Sequence, residues 1–148
     1  MRKPISPDMH AMVDYSTVLM TAAAPRLLGM SDRATRAAEM LAGGYLALSL
    51  VTDYDLSLRR LVPFKAHGAA EAVLGMALPF LPKVLGFERD RSARAFFAGL
   101  TALTAVVAGL TDWDGDTHRL EDGESFAEAL ISEEFEDADS MVDELVGV

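Results

Sequence analysis

The sequence predicts an all-α protein: a bundle of four transmembrane helices made by repeating one helical hairpin, followed by an acidic, partly helical C-terminal tail. Three observations carry that expectation. The first is a repeat. The pattern His10-x-x-x-Asp14 … Pro25-Arg26-Leu27-Leu28-Gly29 returns 57 residues later as His67-x-x-x-Glu71 … Pro82-Lys83-Val84-Leu85-Gly86. Farther on, Asp32-Arg33-x-x-Arg36 is answered by Asp90-Arg91-x-x-Arg94, and Thr52-Asp53-Tyr54-Asp55 by Thr111-Asp112-Trp113-Asp114. The offset drifts from 57 to 59, which needs only two single-residue insertions in the second copy. A repeat of this length sets the building block before any single element is assigned.

The second observation is four apolar segments, 11–28, 37–52, 66–85 and 95–111, rich in Ala, Leu, Met and Gly and without strand alternation. Helices apolar nearly all round belong in a large core or in lipid. A chain of 148 residues has too little mass to bury four of them, so lipid is the expected solvent. The third observation is the distribution of charge. Residues 1–111 hold 12 of the 13 Lys and Arg and 9 of the 23 acids, whereas residues 112–148 hold 14 acids and Arg119 alone. The formal charge of −10 is therefore a property of the tail.

In chain order the expected parts are a polar start (1–8), the first repeat (9–55), a connector (56–65), the second repeat (66–114) and the tail (115–148). Pro4 and Pro7 are expected to keep the start out of a helix. Arg2, Lys3 and the run to Ala24 resemble a signal peptide. His10 and Asp14 inside that run, and its return at residue 67, argue against cleavage. In the first and third helices only 11 uncharged residues separate Asp14 from Arg26, and 11 separate Glu71 from Lys83. That is short of the roughly 20 a span needs, although Arg26 and Lys83 can snorkel to an interface. The small-residue pairs Ala38/Ala42 and Ala95/Gly99 suit close helix approach. Gly29 and Gly86 close the two tight turns. Tyr54 and Trp113 read as aromatic anchors at the membrane interface. Two helices return the chain to its starting side, so the repeats should share one orientation about a pseudo-two-fold axis along the membrane normal.

The hairpin in which a proline and then L-x-G-[FM] close the first helix resembles the SPW repeat of small prokaryotic integral membrane proteins, as does the connector T-D-Y-D-L-S-L-R-R-L-V-P-F-K-A-H. The resemblance covers residues 9–114 and not the tail. The tripeptide that names the family is replaced, by Ala24-Pro25-Arg26 and by Leu81-Pro82-Lys83. The resemblance implies a multi-pass protein of the prokaryotic inner membrane, and an architecture without an assigned activity.

Beyond Asp114 the composition turns acidic. Ser125 and Glu128 form a capping box ahead of an apolar stripe of Phe126, Leu130, Ile131 and Phe135. Such a tail suits a protein partner or its own bundle. Counting a calcium loop from Asp112 places Thr117 and Gly123 where Gly and Glu are required, so the pattern fails.

The sharpest candidate for chemistry is the repeated polar pair. His10 and Asp14 are four apart on one helix face, and His67 and Glu71 repeat the spacing. Parallel repeats put both pairs at one depth, where a divalent metal could be held, with Asp53 and Asp112 as a possible outer layer. The plainer reading pairs each His with its own carboxylate in the headgroup region, with no ligand at all. No cysteine, nucleophile constellation, phosphate loop or nucleotide fingerprint is present, so no catalytic or cofactor-binding residue is assigned. A modest positive charge split between two faces is not a nucleic-acid footprint. The first expectation for function is a structural or accessory membrane protein in contact with lipid. Metal or proton handling through His10, Asp14, His67 and Glu71 comes second, and a membrane-embedded enzyme third. Oligomeric state has no signature in the sequence.

Overall fold

A computed structural model describes residues 3–118, and among them the chain is helical, with isolated β-bridges and no strand. The elements are α1 (Pro7–Leu27), α2 (Asp32–Val51), α3 (Phe64–Ala77), a 3-10 turn (Leu78–Phe80), α4 (Leu81–Val84) and α5 (Arg91–Leu110). The chain divides into two units, Met1–Thr117 and His118–Val148. The capping box and apolar stripe expected between Ser125 and Phe135 lie outside the described residues.

α1 begins earlier than the two prolines suggested. Pro7 takes the first helical position, where a missing N–H costs nothing because that N–H has no intrahelical acceptor. Ser6 Oγ accepts the Met9 N–H at 3.3 Å as the N-cap. The expected single helix over 66–85 is also corrected. Pro79 and Pro82 each delete a helical donor, and the α-helix gives way after Ala77 to the 3-10 turn and then to the short α4. α1, with only Pro25 near its end, stays continuous.

Both turns after the prolines close in the same way. Gly29 and Gly86 have φ of 61° and 70°, a region costly for any residue with a Cβ. The next residue returns an N–H to the proline carbonyl, Met30 to Pro25 at 2.9 Å and Phe87 to Pro82 at 2.8 Å. Gly29 and Gly86 bond the carbonyls of Arg26 and Lys83, both at 3.3 Å, which completes a Schellman cap in each half.

The opposite ends of the helices are tied crosswise. Val62, just before α3, donates to the Val51 carbonyl and accepts from the Asp53 N–H at the end of α2. Ile5, just before α1, donates to the Leu110 carbonyl and accepts from the Asp112 N–H at the end of α5. The beginnings of α1 and α3 are thereby fixed beside the ends of α5 and α2. α1 packs along α2, and α3 along α5.

Burial follows a helical stripe: Pro7, His10, Ala11, Asp14, Val18, Thr21 and Pro25 on α1, and Phe64, His67, Glu71 and Gly75 on α3. Toward the turns a core of Ala34, Ala38, Phe87, Ala93, Phe97 and Leu100 gathers, in which a fully buried Phe97 contributes about 1.5–3 kcal/mol. Ala38 and Ala42 lie in a contact as expected, but Ala95 and Gly99 face outward; the inward stripe of α5 runs through Ala93, Phe97 and Leu100. At the other end Ala11, Tyr54 and Phe64 form a smaller cluster flanked by Tyr15 and Trp113. Tyr54 is fully buried, which corrects its expected role as an interfacial anchor. Among the described residues one helix, α5, is long and apolar enough to cross a membrane, and 22% of its apolar window is buried.

Candidate metal centre

The four residues singled out from the repeat meet at one point inside the bundle. His10 and His67 are fully buried, Asp14 is fully buried and Glu71 is 4% exposed. The two imidazole rings stand 5.5 Å apart, edge to face. The expected pairing of each His with its own carboxylate is therefore only part of the arrangement. His10 Nε2 lies 3.4 Å from Asp14 and 3.1 Å from Glu71, while His67 Nε2 lies 3.2 Å from Asp14 and 3.7 Å from Glu71. Each nitrogen faces both carboxylates, across the two halves of the chain.

The outer ring nitrogens decide which tautomer is present. Thr52 Oγ1 donates its single proton to the Leu48 carbonyl at 2.7 Å, so toward His67 Nδ1, 2.8 Å away, it is an acceptor. Thr111 repeats this, donating to Val107 at 2.7 Å and standing 2.8 Å from His10 Nδ1. Both imidazoles thus carry a proton on Nδ1, and their neutral forms turn the Nε2 lone pair into the cluster. Neither Nε2 has a hydrogen-bond partner, although carboxylate oxygens stand close by. Two buried nitrogen lone pairs and two buried carboxylates converging on one point is an arrangement that a cation would complete.

The dimensions agree with such a cation. Four ligand atoms, one per residue, lie within 4.8 Å of one another. Around a tetrahedral ion with bonds of 2.0–2.1 Å, ligand atoms sit about 3.4 Å apart. The Nε2–carboxylate distances, 3.1 to 3.7 Å, are of that order, with Asp14 turning Oδ1 to His10 and Oδ2 to His67, so an ion would draw the set together slightly. A divalent ion also cancels the two carboxylate charges, so the buried group becomes neutral. Two imidazoles and two carboxylates with no thiolate suit zinc, manganese or ferrous iron.

Comparison with protein-family models, curated proteins and solved structures gives no match for this chain.

Two further partners hold the carboxylates. The Tyr45 hydroxyl reaches Asp14 Oδ1 at 2.7 Å and also contacts Glu71 Oε1. Ser49 Oγ stands 3.5 Å from Asp14 Oδ2. Both lie on α2, and neither was singled out in the sequence, because the corresponding stretch of α5 has Thr104 and Ala108 instead. Helical spacing offers the missing signal: Tyr45, Ser49 and Thr52 fall on one face of α2 and point where Asp14 must be. Thr52 and Thr111 stand inside the repeated motif, next to the acids Asp53 and Asp112. The backbone N–H groups of Asp53 and Asp112 bond to the carbonyls of Val62 and Ile5.

One side of the centre is covered by rings. Phe64 lies 5.3 Å from His10, and Trp113 lies 4.9 Å from it. Trp113 also packs on Gly68, where a Cβ would come within 2.6 Å of the indole ring. Lys65 pairs with Asp114 outside this cover, which holds the exposed Asp114 carboxyl below its ordinary value of 3.8.

Proposed function

We propose that this is a small multi-pass membrane protein whose bundle holds one divalent metal ion through His10, Asp14, His67 and Glu71. The observation that carries the metal reading is the convergence of two buried Nε2 atoms on two buried carboxylates, with Thr52 and Thr111 accepting from the far nitrogen of each ring. The ion would join α1 to α3, with α2 and α5 supplying the threonines, and so would lock the four long helices together. Four protein ligands fill a tetrahedral shell, which is the mark of a structural ion rather than a catalytic one. The role is then that of an accessory bundle whose fold depends on metal.

Membrane placement is supported by what faces outward. Met12, Leu19, Met40, Val73, Met76 and Val106 are each more than half exposed. The acids of α1 and α3 that shorten the apolar runs, Asp14 and Glu71, point inward and would not meet lipid. On α2 and α5 the charges stop at Glu39 and Arg94, leaving uncharged helix to Val51 and Leu110. The resemblance to the SPW repeat agrees with a four-span bundle of the inner membrane. Elemental analysis of protein extracted gently in detergent tests the metal reading: one zinc, manganese or iron per chain is expected, and a metal-free protein that takes up none of them would remove it. Resistance of the protein to alkaline washing of membranes tests the placement.

A further inference from the structure

On the side away from the aromatic cover, the centre borders a cavity of about 20 Å³. Glu71 and Tyr45 belong to both the centre and the cavity wall. The rest of the wall is uneven in a way the repeat exposes. Thr17 and Thr21 of α1 line it opposite Leu74 and Leu78, the residues 57 positions later. Packing alone is satisfied by leucine at these places, so the hydroxyls of the first half need another reason. Thr21 is 2% exposed and its hydroxyl has no hydrogen-bond partner. Leaving a buried hydroxyl unpaired costs about 1–3 kcal/mol.

We infer that this cavity is a site for a single water molecule, bonded by Thr21 and by Glu71 or Tyr45, and that it is the side from which small polar species reach the centre. The volume is sufficient, since a water needs about 10–15 Å³ and two to four polar partners, whereas apolar cavities of this kind stay dry. The opposite approach is closed by Phe64 and Trp113. The water site stands on the cavity itself; the access role rests on the metal reading.

High-resolution diffraction from the metal-free full chain tests the first part. Wild type should show one ordered water within hydrogen-bond distance of Thr21 Oγ1 and of Glu71 or Tyr45. Thr21→Val, nearly the same shape, should lose it, and Thr21→Ser should keep it. A dry cavity in wild type overturns the proposal. The second part is read from the rate of manganese uptake by stripped protein. Thr21→Leu, which copies the second half, should slow uptake severalfold with the amount bound at equilibrium unchanged, while Trp113→Phe, which keeps a ring over the centre, should leave the rate alone. Uptake indifferent to Thr21→Leu overturns the access role. A wild type that binds no manganese, zinc or iron refutes the metal centre and with it the access role, and the diffraction result still decides the water site.

Discussion

The two halves of the bundle carry the same candidate ligands but not the same surroundings. Each contributes one His, one carboxylate and one threonine, and each threonine holds the imidazole of the other half at 2.8 Å. The first half adds Tyr45 and Ser49 on its second helix, both directed at the carboxylates. The second half has Thr104 and Ala108 there, and its first helix is broken where α1 is continuous. The residues that would touch a metal obey the repeat, and those that hold the ligands in place obey it only where an imidazole needs a fixed tautomer. A carboxylate tolerates different partners because it accepts from any donor, while a metal-bound imidazole requires an acceptor at Nδ1.

That comparison can be broken most directly at the ligands. His10→Ala and His67→Ala should each abolish stoichiometric binding, because neither half can close a coordination sphere alone. Unequal losses, with one variant still binding one ion per chain by elemental analysis, would show that the halves are not equivalent. Protons compete with the ion for the Nε2 lone pairs and the carboxylates, so affinity in wild type should fall as pH is lowered.

The outer partners sharpen it. Tyr45→Phe should weaken metal affinity about 10–100-fold, as loss of a ligand-orienting hydrogen bond does. Its counterpart variant Thr104→Val should leave affinity unchanged in the same competition titration. Unchanged affinity in Tyr45→Phe would mean that Tyr45 acts through packing rather than through its hydroxyl.

A third contrast lies under the aromatic cover, where Ala11 in one half corresponds to Gly68 in the other. Gly68 is required by Trp113, so Gly68→Ala should cost about 1–3 kcal/mol of stability by overpacking. Trp113→Tyr, which gives the second half the ring of the first, should recover part of that loss in thermal unfolding of the double variant.

The smallest expected effect is at the turns. Asp90 caps α5 through the Ala93 N–H at 2.9 Å and also accepts the Ser31 N–H at 2.7 Å. These backbone donors, Ser31 first, hold its carboxyl below the ordinary value of 3.8. A lowered folded value means the stabilisation is complete above about pH 3.9, the unfolded value, and disappears as pH falls through the folded one. Asp90→Ala should cost about 1 kcal/mol near neutral pH and nothing in strong acid. Asp32, the corresponding residue, sits one position inside α2 and is not its cap, so Asp32→Ala should cost less.

How much of this could be read from the sequence follows the same division. All four residues of the buried cluster were legible, because a His and an acid four residues apart are unremarkable once and informative when repeated with the turns and helix ends around them. The helical class followed from composition and spacing. The break in the third helix was also legible in Pro79 and Pro82, but the repeat suggested the continuity of the first helix and overrode it. Tyr45 was not visible by repetition, since it has no counterpart. Tyr54 reads as an interfacial residue because a tyrosine at a helix end often is one. It is buried among Ala11 of α1 and Phe64 of α3, contacts that have no local signature.

Trp113, the single tryptophan, sits 4.9 Å from the His10 ring and gives the central claim a direct readout. Stripped full-length protein is titrated with zinc, manganese or ferrous iron near neutral pH while Trp113 emission is followed. The account expects a saturable change ending at one ion per chain, lost in His10→Ala and in His67→Ala. Emission that does not respond to any of the three metals, with no metal retained by the protein after gel filtration, would contradict it.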